Sequence, residues 1–171
     1  MEKSRKKINA VLLNKLWSDD AQKVLSALRE LRMAGHCEYL PELLKLLNET
    51  QNEEIKKELA IFLCDIRDKG CIPHIIDSLN DDQFQHVKNI IVSSCWQSRL
   101  NYSTHIDTFI QIFIKEDYLT ALEAFTVIEE SLPDIPDEKI KEYRFRLISA
   151  IEDISREKKS LLKELINLMV T

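Results

Sequence analysis

Glycine is nearly missing from this chain: there are 2 in 171 residues, beside 4 prolines. So little of either leaves scant material for the tight turns that join short strands, which argues against a sandwich or barrel and for helices. No apolar run reaches the roughly 18 residues that a membrane span needs. Basic residues do not predominate: 24 Lys and Arg face 29 Asp and Glu, a net charge of -5. Nucleic-acid binding is therefore not expected, because a phosphate-binding domain shows a basic face. The 4 cysteines, Cys37, Cys64, Cys71 and Cys95, form no paired CxxC motif. A helical core of this size needs no covalent staples, so reduced thiols in a cytoplasmic protein are expected. The basic start, Met1 to Lys7, is followed by a stretch too short and too polar for a secretory signal, and reads as an amphipathic first helix.

Apolar spacing of three and four dominates what is present. It predicts about ten helices and no alternating strand. The first covers about 4–17, with Ile8, Val11, Leu12 and Leu16 on one face. Ser18 or Asp19 caps a second that runs to Ala34 and is closed by Gly35. Pro41 opens a helix through 40–47. Thr50 with Glu53 forms a capping box before a helix over 52–68, which Gly70 closes. Pro73 opens the helix near 72–80, and further helices follow over about 84–99, 106–113, 119–130 (capped by Asp117), 137–153, and a last one capped by Ser155.

Two stretches repeat. Residues 40–48 and 72–80 share one apolar pattern, and residues 24–35 resemble 59–70. Leu28 maps to Leu63, Cys95 and Ile128, and Leu40 maps to Ile72, Ile106 and Ile140, a period of 32 to 35 residues. Such a period marks stacked units, each too small to bury its own apolar face. Val24, Leu28, Leu31, Gly35, Leu40, Pro41, Leu43, Leu44 and Leu47 carry the pattern. So do Leu59, Leu63, Ile66, Gly70, Ile72, Pro73, Ile75, Ile76 and Leu79. With these residues the chain resembles the HEAT-repeat, armadillo-like proteins. The match is good over about 18–82, weakens over 83–153, and breaks at Ser94–Cys95–Trp96–Gln97–Ser98, where no glycine stands.

The resemblance implies a single all-α domain, 1–171, built as a right-handed α-α superhelix of antiparallel helix pairs. It implies that the second helix of each pair lines a concave surface, and that proteins are the usual partners. In the repeat register assigned to the sequence, Glu42, Lys45, His74, Asp77, Thr108 and Gln111 fall on that outward column. Its mixed sign suits a protein or peptide better than a polyanion, although an ordinary solvated face would read the same.

Where the repeat fails, Trp96, Gln97, Arg99 and Tyr102 lie among serines, forming a candidate anchor cluster, since Trp and Arg bury much area while keeping a polar handle. The competing reading packs Trp96 between units. Trp17 reads as a cap-to-core contact.

Other chemistry is weaker. His36, Cys37, Cys71 and His74 lie in corresponding turns but lack strong zinc spacing. Cys95 falls on a buried face near a helix C-terminus, the wrong end for an activated thiolate. The basic residues Lys139, Lys141, Arg144, Arg146, Lys158, Lys159 and Lys163 are interleaved with acids, as on a solvated face. The expectation is a non-catalytic scaffold without cofactors that binds an unidentified protein or peptide. A helical-repeat DNA glycosylase of the alkylpurine type is the alternative.

Overall fold

The computed structural model describes residues 9–34 and 37–170. Among these residues there are ten α-helices and no strand: α1 (Ala10–Leu16), α2 (Ala21–Ala34), α3 (Leu40–Glu49), α4 (Glu53–Cys64), α5 (Ile72–Leu79), α6 (Lys88–Gln97), α7 (Ile106–Lys115), α8 (Tyr118–Ser131), α9 (Asp137–Ser149) and α10 (Lys159–Leu168). None of them is long and apolar enough to cross a membrane.

Local chemistry sets the helix starts. Asn52 Oδ1 accepts from the amides of Glu54 and Ile55, and Asp117 Oδ1 from that of Thr120 at 2.8 Å. Those amides have no partner inside their helices, and a short side-chain oxygen supplies one. The Thr120 amide is also the main reason Asp117 is held below the usual carboxylate range. Pro41 and Pro73 stand in the first turns of α3 and α5, where no amide partner is lost.

Several expected boundaries shift. Asp20, not Ser18 or Asp19, accepts from the Gln22 amide at the start of α2. Asn52 takes the cap expected of Thr50, whose hydroxyl accepts instead from the Asn52 amide. Ser155 does not cap α10, which starts from a 3-10 turn, Arg156–Lys158. The helix expected to reach residue 68 ends at Cys64, and Gly70 lies in a 3-10 turn, Lys69–Cys71. The left-handed position belongs to Arg99, with φ 55°, just beyond α6. Gly35 and the basic start lie outside the described residues.

The core is continuous. Leu43, Leu44 and Leu47 of α3, Ile75, Ile76 and Leu79 of α5, and Phe109, Ile110 and Phe113 of α7 are buried at matching turns. Each helix is too narrow to enclose its own stripe, so burial requires neighbours. Contacts supply them in a regular order. α1 touches α2, α3 touches α4, α5 touches α6, α7 touches α8 and α9 touches α10. The even-numbered helices also touch one another in unbroken succession, α2 to α4 to α6 to α8 to α10, while α3 touches α5 and α7 touches α9. α3 thus packs on the helix that follows it and on α5.

Three polar ties, those of Lys158 and Lys88 from buried side chains and that of Arg67 from an exposed one, join segments far apart in sequence. The Lys158 ammonium, 3% exposed, donates to the carbonyls of Phe113, Ile114 and Glu116 at the end of α7. Lys88 pairs with the Glu116 carboxylate at 2.9 Å. Arg67 donates to the carbonyls of Cys64, Ile66 and Ser98, linking the end of α4 to the end of α6.

Candidate interaction surface

The outward column predicted from the repeat stands on α3, α5 and α7, and all six side chains lie outside the core. Two are engaged within the chain. The Trp17 indole donates to Glu42 Oε2 at 3.1 Å, and the Lys45 ammonium stands 5.2 Å from the centre of its ring. Trp17 is thus not a core contact: it lies over α3 and occupies that part of the column. His74 and Asp77 line a shallow depression of 210 Å³ with Pro41, Leu44 and Phe84. Thr108 and Gln111 border a smaller one, 160 Å³, beside the Lys88–Glu116 pair.

The cluster where the repeat fails divides. Tyr102 is 1% exposed and meets Phe109 edge to face, with ring centres 5.5 Å apart. It is a core residue, so it presents nothing to a partner. Gln97 is exposed, and its amide donates to Ser93 Oγ at 2.9 Å. Trp96 is half-buried: its ring packs on the core while its N–H donates to Glu123 of α8. Trp96 therefore packs within the chain, and part of its ring stays accessible. Arg99 is exposed, and its guanidinium has no partner among the described residues. It stands at the mouth of a 490 Å³ cleft with Trp96, Asn101, Glu130, Ser131 and Asp134. Asn101 donates to Asp134 there at 2.8 Å.

Sequence reasoning missed a second set of accessible side chains, on the even-numbered helices. Ile61 of α4 and Ser93 of α6 are half-exposed, and on α8 Leu119 is 66% and Leu122 38% exposed. Thr126 lies one turn further along. The signal was present: Leu119 and Leu122 stand off the stripe formed by Ala121, Ala124, Phe125 and Ile128. An apolar residue outside its helix's buried stripe needs another reason to be apolar.

The cysteines depart from expectation. Cys37 and Cys71 form a disulfide, with Cα atoms 5.1 Å apart. They stand in the 3-10 turns that precede α3 and α5, and the contact between those helices brings the turns within bridging range. Both sulfurs are thereby withdrawn from metal ligation, and His36 lies outside the described residues. The disulfide borders a cleft of 310 Å³ with Arg32, Phe62, Asp65, Arg67 and Asp68. Arg32 and Asp65 pair across it.

Of the free thiols, Cys64 is half-buried and Cys95 fully buried. Burial raises both above the ordinary thiol range, Cys95 to about 12. Burial thus disfavours the thiolate, which is the nucleophilic form. Several basic residues near the C-terminus are also spoken for: Lys139 by Glu142, Arg146 by Asp107, and Lys158 by backbone carbonyls. No protein-family model matches the chain, and comparison with curated protein sequences finds no relative.

Proposed function

We propose that the chain is a non-catalytic scaffold of HEAT type that binds a protein or peptide along its even-numbered helices. The observation that carries this reading is the unbroken succession of contacts from α2 to α10. Stacked units curve toward the row whose helices approach most closely, because the other row must then splay. The odd-numbered row touches between α3 and α5 and between α7 and α9, and more sparsely than the even-numbered row. We therefore take the even-numbered helices as the concave row, and each repeat as an odd helix followed by an even one. The column on α3, α5 and α7 then belongs to the opposite, convex side.

On the concave row, Ile61, Trp96, Leu119 and Leu122 offer apolar contact, with Ser93, Gln97 and Thr126 between them. Glu123, Glu129 and Glu130 edge this strip on α8. A partner segment with apolar and basic side chains complements it. Phosphate backbone would meet those carboxylates, which counts against nucleic acid.

The test is selection of peptides from a random library on the purified chain. Apolar and basic sequences should be enriched, and Leu122→Glu should abolish their binding. His74→Ala with Asp77→Ala should leave it unchanged. Binding that depends on His74 and Asp77 and ignores Leu122 would refute the placement. Steeply salt-dependent binding of duplex DNA would refute the reading altogether.

A further inference from the structure

Cys37 and Cys71 differ in access. Both line the 310 Å³ cleft, but Cys37 is half-exposed whereas Cys71 is only 4% exposed. Cys71 is the residue immediately before α5, so a thiolate released there stands at the positive end of the helix dipole, and a more stable thiolate leaves faster.

The charges of the cleft are not all spent. Arg32 and Asp65 neutralise each other. Arg67 is bound by neutral carbonyls through one of its nitrogens, so its charge is uncompensated and its other nitrogens are free. The Asp68 carboxylate accepts from the Gly70 amide, a neutral donor, and keeps its negative charge. One cation and one anion thus flank an apolar floor of Leu40, Phe62 and Ile66 beside the disulfide.

We propose that the Cys37–Cys71 disulfide is a thiol-exchange site for a low-molecular-weight thiol bearing both a carboxylate and an ammonium group. The thiol's carboxylate meets Arg67 and its ammonium meets Asp68. Its thiolate attacks Cys37 Sγ. A bond forms between that sulfur and Cys37, the Cys37–Cys71 bond breaks, and the electron pair leaves on Cys71, which takes a proton from water. The Cys71 sulfur is reduced as the incoming sulfur is oxidised. A second thiol then attacks the mixed disulfide, releasing the small symmetrical disulfide and the Cys37 thiol. The covalent link between the turns before α3 and α5 is opened, with no unfolding required.

The probe is glutathione, used on the oxidised, full-length chain under native conditions. The reaction is quenched by thiol alkylation, and the cysteines are mapped by peptide mass spectrometry. The expected first product carries glutathione on Cys37 and the alkyl group on Cys71, at a rate proportional to glutathione concentration. Glutathione on Cys71, or a rate independent of thiol concentration and equal to that of global unfolding, would overturn the proposal. The Arg67→Gln variant tests recognition. Its rate with glutathione should fall about two- to fivefold relative to its rate with uncharged 2-mercaptoethanol, the range expected for one exposed ion pair. Because any loss of stability speeds both reactions, the ratio of the two rates is the readout. An unchanged ratio would overturn the role of Arg67.

Discussion

Arg99 holds a backbone conformation that an L side chain enters at a cost. At φ 55° its Cβ crowds the neighbouring carbonyl, and the residue stands just past the end of α6, where glycine usually serves. Arg99→Gly relieves the crowding but gives the unfolded chain more freedom, so the expected gain is about 0.5–1 kcal/mol, read as a raised urea midpoint. Cys95 supplies a pH dependence. Its native thiol keeps its proton to about 12, whereas an unperturbed thiol loses it near 9.0. Above pH 9 the unfolded chain therefore binds fewer protons than the native one, and stability falls as pH rises toward 12. Denaturation at a series of alkaline pH values should show that decline, with a shallower slope for Cys95→Ala. Part of the slope should remain, because burial also raises the Tyr102 phenol.

Single elements are held at their ends as much as along their faces. The last carbonyls of α7 would be orphaned, and Lys158 reaches them from the turn before α10. Lys158→Met removes the ammonium and leaves these acceptors without it, with an expected loss of about 2–3 kcal/mol. The accompanying sign is faster amide hydrogen exchange in α10 than in α4, since the tie to α7 is what the substitution cuts. Helix positions were legible in the sequence because apolar spacing of three and four is a local property of the chain. Their ends were less so. Thr50 and Asn52 are both capping types, as are Ser18, Asp19 and Asp20, and only the folded backbone decides whose oxygen reaches a free amide. The glycine rule failed for a related reason: Gly70 stands well past Asp65, the cap of α4, in a turn that Asp68 shapes by accepting its amide.

At the scale of the whole molecule, the disulfide is a covalent tie between the turns that precede α3 and α5. It spans 34 residues of chain. Replacing both Cys37 and Cys71 by Ser should cost about 3–4 kcal/mol, chiefly through the freer unfolded chain. Denaturant curves of the oxidised, reduced and double-serine forms check this, with the last two expected to coincide. The same scale decides which face is offered to a partner. The six residues of the outward column lie outside the core, yet the sequence could not say that Trp17 folds over Glu42 and Lys45. Nor could it say that Tyr102, polar by type and set among serines, packs against Phe109. A side chain's exposure depends on helices dozens of residues away.

The sequence by itself determined the all-helical class, the helix positions, the repeating period and most of the buried stripe. All of these follow from spacing along a single chain and from the need to bury apolar surface. Only the tertiary structure decided which helix packs on which, which half of the cluster around Trp96 stays accessible, and that Cys37 meets Cys71. Those outcomes depend on the angle and offset at which successive units stack. That geometry is a sum of many side-chain contacts across units, and no local pattern encodes it.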